Sequence, residues 1–421
     1  LFNEVSVGDG LRLISSPMPS TRTAAVTITV GTGSRFEPQA QSGFSHFIEH
    51  LLFRGSQKYD SAELDRLFDR LGGEMTAMTG RESTVLHNRV ASDRFDSAFD
   101  AMLDMAFSPL LADVDAERSV ILEEIAMVED DPAEMVFELL STATFGRNPV
   151  GRPVLGDPEV IAQASQEELV NFHRLTYQPA NTVVSVAGDF DEQAIIDRLE
   201  QIKTSSSSGS DSPLPSTDRS PTSQTVERDT EQTHICIGSS GPGMLASQRY
   251  ELRVLDQILG GGASSRLFTR IREQLGLAYD THSFVSFASD LSELGVYVAT
   301  RPENATAAAE ELGNQVRAIR SDAITEDEFE NARASLLSRI RLASESVSDR
   351  SLRLAADLTV GRKPLGDLEL EAKVESVAVD DVRNIAESVW APEQLSAACI
   401  GPSTEAAEIA LAAAGCNGGK L

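Results

Sequence analysis

Gly151-Arg152-Pro153-Val154-Leu155-Gly156-Asp157 recurs, little changed, in the second half of the chain as Gly361-Arg362-Lys363-Pro364-Leu365-Gly366-Asp367. Each copy leads into an acidic stretch with helical spacing and then a strand-like run, Asn181 to Gly188 after the first and Leu395 to Gly401 after the second. A repeated motif followed by the same order of elements indicates that one structural unit is present twice.

Upstream, helix-like Ala62 to Leu71 and alternating Ser83 to Val90 correspond in order to Leu252 to Leu259 and Leu291 to Thr300. Short β-rich runs, Ala24 to Val30 and Thr233 to Gly238, alternate with segments of 3.6-residue period. The expected fold class is α+β, with helices on a mostly antiparallel sheet in each of two homologous halves. Thr204 to Gln224 is rich in Ser, Pro, Thr and Asp and nearly lacks large apolar residues, so it cannot bury enough surface to fold. The expected division is a first half at 1–203, a linker at 204–225 and a second half at 226–421.

A chain of 421 residues exceeds one ordinary domain, and 41% hydrophobic with 24% charged residues places it among globular proteins. No run reaches the roughly 18 apolar residues of a membrane span, and the N-terminus lacks the basic-then-apolar layout of a signal peptide. Cys236, Cys399 and Cys416 stand far apart with no CxxC spacing, which indicates neither a disulfide framework nor a cysteine metal site and fits a reducing compartment. The expected location is cytoplasmic. A formal net charge of -29 argues against nucleic acid and anionic membrane as partners. The ordinary reading of such acidity is a well-solvated surface; the functional one is a preference for basic peptides.

Gly43 to Gly55 reads as a helix. At about 100° per residue Phe44, Phe47, Ile48, Leu51 and Leu52 form an apolar stripe, and His46, Glu49 and His50 cluster opposite. Positions i, i+3 and i+4 are neighbours on a helix, so two imidazoles and a carboxylate converge. Histidines on a helix ordinarily pack or hydrogen-bond in a core. Two histidines with a carboxylate between them are instead what catalytic zinc requires: two ligands, and a base close to the attacking water. HxxEH is the mirror order of HExxH and the signature of inverted zincins.

A third ligand is expected on the helix Asp113 to Asp130, whose apolar stripe is Val114, Ile121, Ile125 and Val128. Glu117 and Glu124 lie at the edge of that stripe two turns apart, while Glu123 points away. A carboxylate aimed at a buried surface is costly unless a metal or partner compensates it. Glu124 is therefore the expected third ligand and Glu117 a carboxylate that orients a ligand.

His46-Phe47-Ile48-Glu49-His50 followed by Glu117-Arg118-Ser119-Val120-Ile121-Leu122-Glu123-Glu124 resembles the pitrilysin, insulinase and mitochondrial-processing-peptidase family, over nearly the whole chain. The resemblance implies two halves joined by a linker in a clamshell and a zinc-dependent endopeptidase of short or unfolded peptides. It further implies that Arg272 and Tyr279, in Ile271-Arg272-Glu273-Gln274-Leu275-Gly276-Leu277-Ala278-Tyr279, reach the substrate, where they could stabilise an oxyanion or anchor the peptide. Thr76 and Ala77 match the family's substrate-pairing edge strand, although Thr76 stands where the family usually has Asn. The helix Arg249 to Leu259, counterpart of the HxxEH helix, has no histidine, so one zinc per chain is expected. Gly260-Gly261-Gly262-Ala263-Ser264-Ser265 lacks a following GK[ST] and is read as a turn before a helix at Ser264 to Gln274. The family's pattern implies a homodimer, or a heterodimer with an inactive homologue. The alternative function is a non-catalytic or partner-dependent subunit, which in this family typically loses the ligands, the base, or the Arg and Tyr retained here.

Overall fold

The structure, a computed structural model, describes residues 2–146, 148–202, 221–321 and 324–416. These residues form two compact units. One contains 2–125, 153–202 and 341–367; the other contains the described residues within 126–152, 221–340 and 368–416.

The first unit is built on six strands, β1 (Asn3–Val7), β2 (Leu11–Pro17), β3 (Thr23–Val30), β4 (Glu74–Thr79), β5 (Thr84–Ala91) and β6 (Thr182–Gly188). They lie in the order β1-β2-β6-β3-β5-β4, with β2 and β6 parallel and every other neighbouring pair antiparallel. The second unit has β7 (Ser223–Glu227), β8 (Thr233–Pro242), β9 (Ala278–Phe287), β10 (Leu291–Thr300) and β11 (Ser396–Gly401) in the order β7-β11-β8-β10-β9. Here β7 and β11 are the parallel pair. Without β1 the two sheets share one topology, as the repeat predicts.

Five helices of the first half are α1 (Phe44–Leu51), α2 (Ser61–Leu71), α3 (Phe95–Phe107), α4 (Val114–Asp130) and α5 (Pro132–Phe145). By order along the chain α1 answers to the helix Arg249–Leu259, and α2 to the π-helix Phe268–Gln274. This corrects the pairing of Ala62 to Leu71 with Leu252 to Leu259: similar periodicity matched the segments, but position between strands separates them. The expected helix Gly43 to Gly55 is shorter, at Phe44–Leu51.

Both faces of each sheet are covered, which is why β3 and β6 read as nearly continuous apolar runs rather than alternating ones. Ala24, Val26, Ile28 and Val30 face a core shared with Phe44, Phe47, Ile48, Phe99 and Met102. On the other face Ala25 and Ala187 pack with Val347, and Ile14 and Val183 with Leu354, Ala355 and Leu358. Each leucine so buried contributes about 1.5–3 kcal/mol. The covering helix, Val347–Thr359, comes from the second half of the sequence. Reciprocally, α5 of the first half lays Val136 and Leu140 on Cys236, Tyr297, Ala299, Ala398 and Ile400 of the second sheet. Gly238 lies beneath Leu140, where a Cβ would come within 2.8 Å of a methyl carbon.

The units are therefore not the sequence halves expected at 1–203 and 226–421, because 126–152 and 341–367 are exchanged between them. An amphipathic helix advertises its apolar face but not which sheet it covers. The expected linker also ends early: Ser223–Glu227 is a strand paired with β11, and residues 204–220 lie outside the described residues. Among the described residues no helix is long and apolar enough to cross a membrane.

Candidate metal centre

α1 enters through Gly43, whose left-handed φ of 92° favours glycine. A Cβ there would come within 2.7 Å of the Leu155 carbonyl oxygen and 2.8 Å of Gly156 Cα, so the repeated glycine motif serves as the seat of this helix. No side chain at the N-cap bonds to the first turn. Instead the buried Glu37 carboxylate accepts from the amides of Gly43 (2.7 Å) and Ser45 (2.6 Å), placing negative charge at the positive end of the helix.

α4 begins after two residues with positive φ, Leu111 (47°) and Asp113 (57°). Arg118 docks it by donating to the carbonyls of Ile161 (3.2 Å) and Ala164 (2.6 Å). The same helix carries Glu117, buried, and Glu124, half-buried; Glu123 is exposed.

His46, His50 and Glu124 come together as a group able to hold a metal ion. His46 Nε2 and His50 Nε2 are 3.2 Å apart, and Glu124 Oε2 lies 3.5 Å from the first and 3.4 Å from the second. His50 Nδ1 is 3.1 Å from Glu117 Oε2, and Glu117 is also ion-paired with Arg54. A carboxylate can only accept, so Nδ1 of His50 carries the proton and Nε2 presents a lone pair to the cluster. Burial, and secondarily His50, lowers the His46 pKa to about 4, which keeps that ring neutral as a ligand must be.

These atoms fit zinc. Bonds of about 2.0–2.2 Å in a tetrahedral site set ligand atoms about 3.3–3.6 Å apart, close to all three separations observed. Two imidazole nitrogens and one carboxylate oxygen leave a fourth position for water or substrate.

Glu49 stands on α1 between the two histidines. Burial raises its pKa, opposed by a hydrogen bond from the Thr79 hydroxyl to Oε2. Tyr177 is buried nearby, its phenol pushed up by burial and then by the Glu49 charge. Sequence reasoning missed Thr79, Arg54, Glu37 and Tyr177. Arg54 has a retrospective signal, lying one turn beyond His50, and Thr79 shares the face of β4 with Ala77; Glu37 and Tyr177 have none.

Thr76 and Ala77 lie on β4, an edge strand whose outer side has no partner among the described residues. In the second unit Arg272 lies 4.2 Å above the Tyr279 ring and 4.7 Å above that of Phe268, and Tyr279 is 77% exposed. Residues 260–265 form turns and bends, as expected, but the helix expected at Ser264 to Gln274 is a π-helix at Phe268–Gln274. The helix Arg249–Leu259 holds no histidine.

Residues 12–158 match the family described as "Insulinase (Peptidase family M16)", and residues 163–336 match "Peptidase M16 inactive domain". A Streptomyces coelicolor protein named an uncharacterized zinc protease is 34% identical over 93% of this chain and 88% of its own length. A Bacillus subtilis protein named likewise is 31% identical over 94% of this chain and 97% of its own. Among solved structures, a protease from Helicobacter pylori shares the fold with a TM-score of 0.89 at 22% identity, covering 96% of this chain and 99% of that one.

Proposed function

Because this chain belongs to the insulinase family, peptidase family M16, we propose that it is a zinc metalloendopeptidase acting on short or unfolded peptides, with one zinc held by His46, His50 and Glu124. The observation that carries this reading is the spacing of 3.2, 3.4 and 3.5 Å among the three ligand atoms.

Bound zinc would supply Lewis acidity, polarising the scissile carbonyl and making water nucleophilic near neutral pH. Glu49 takes the proton of the attacking water and returns it to the leaving amine, and its burial suits a carboxylate to that exchange. Glu117, steadied by Arg54, fixes the ring of His50. The open edge of β4 at Thr76 and Ala77 receives the peptide as an added strand. The family resemblance adds Arg272 and Tyr279 to the proposal as substrate-binding residues, a guanidinium and a phenol being able to hydrogen-bond a peptide backbone.

The test is zinc titration combined with cleavage of a quenched, unstructured basic peptide, before and after chelation, beside Glu49→Gln. Cleavage lost on chelation, restored by zinc and absent in the variant supports the reading. One tightly held zinc without cleavage would turn the interpretation to a non-catalytic or partner-dependent subunit.

A further inference from the structure

We propose that Thr79 is a positioning residue for Glu49, its hydroxyl holding one carboxylate oxygen so that the other is aimed at the proton to be taken. The proposal rests on the zinc-peptidase reading and assigns a role to a residue that its motif does not include.

Thr79 is the last residue of β4, whose exposure alternates along its length. Met75 and Ala77 pack against the core that contains α1, and Thr79 continues their face. Its frame is rigid on two sides. Thr79 pairs with Thr84 across β5, and Thr84 donates to the Thr32 carbonyl at 3.1 Å. The turn is closed by Gly80 donating to the Ser83 carbonyl at 2.8 Å.

Glu49 has no such rigidity of its own. Its side chain has several torsions, and it stands between two histidines where a swing could make it a further metal ligand rather than a base. Among the described residues Thr79 is what holds this carboxylate: its hydroxyl donates to Oε2, and its backbone amide adds a weaker interaction that a side-chain substitution leaves in place. The proton is then taken at Oε1. Because β4 is also the edge proposed to receive the peptide, one strand would set both the substrate and the base. Holding a reacting group within a fraction of an ångström matters: a displacement of about 1 Å can cost on the order of a hundredfold.

Thr79→Val keeps the shape and removes the hydroxyl; Thr79→Ser restores it. In the zinc-loaded full chain, Thr79→Val is expected to lower kcat about 10–100-fold with KM within about twofold and zinc affinity unchanged, and Thr79→Ser to recover most of the loss. A second readout needs no activity. In metal-free protein, Thr79→Val should shift the denaturation midpoint when Glu49 is present and not in a Glu49→Ala background. An unchanged kcat in Thr79→Val, a loss confined to KM or zinc affinity, failure of Thr79→Ser to recover, or additive midpoint shifts would overturn the proposal. Failure of the wild-type chain to cleave would count against the peptidase reading, while the midpoint cycle would still decide the contact.

Discussion

Glu117 Oε2 lies 3.1 Å from His50 Nδ1 while the other oxygen of the same carboxylate is ion-paired with Arg54. A buried carboxylate thus holds one histidine of the cluster in the tautomer that ligates, and a partly exposed arginine holds the carboxylate. Glu117→Gln removes the charge and leaves an amide NH2 facing one of two donors, the Arg54 guanidinium or His50 Nδ1–H. Zinc affinity is expected to fall about 10–100-fold, read by competition with a chromogenic chelator. Equal affinity in the variant would mean that the contact does not tune the site.

The histidines and glutamates were legible because helical period alone brings i, i+3 and i+4 to one side, and because Glu117 and Glu124 are two turns apart on one helix. Thr79 was not, since its contact with Glu49 depends on the edge strand lying beside α1. Glu37 caps α1 from a segment with no helical period of its own. The twofold repeat and the mostly antiparallel sheets followed from the echoed motif and the β-rich runs. The exchange of helices did not, because the apolar faces of α5 and of Val347–Thr359 would suit either sheet.

That exchange makes each sheet depend on the other half of the sequence. A fragment of residues 1–203 lacks Val347, Leu354, Ala355 and Leu358, and so exposes Ile14, Ala25, Val183 and Ala187. Expressed alone it is expected to aggregate or remain partly unfolded, and to be rescued by co-expression with residues 204–421. In the intact chain Leu354→Ala should cost about 2–5 kcal/mol, seen as a lower denaturation midpoint. A stable, monomeric 1–203 fragment with native circular dichroism would contradict this account.

Gly43→Ala tests the seat of α1. Its positive φ and the approach of Leu155 and Gly156 both oppose a Cβ. The substitution is expected to cost on the order of 1–3 kcal/mol and to weaken zinc binding, because the displaced element carries both histidines. Loss of stability with unchanged zinc affinity would show that the helix shifts as a rigid piece without disturbing its ligands.

His173 gives a pH dependence of known sign. Its Nε2 lies 2.9 Å from the Ala106 carbonyl oxygen and its ring stacks on Tyr177 at 4.4 Å. Burial lowers its pKa to about 4, with the Ala106 bond opposing. Unfolded histidine titrates near 6.5, so between these values the unfolded chain binds the extra proton. The contribution is fully present above about pH 6.5 and is lost as pH falls toward 4, to a limit of about 3 kcal/mol. His173→Gln keeps a donor for Ala106 and removes the titration. In zinc-free protein, the denaturation midpoint of the wild type should therefore fall more steeply between pH 7 and pH 4.5 than that of the variant. Parallel curves would mean that the ring is hydrated well enough to protonate in place.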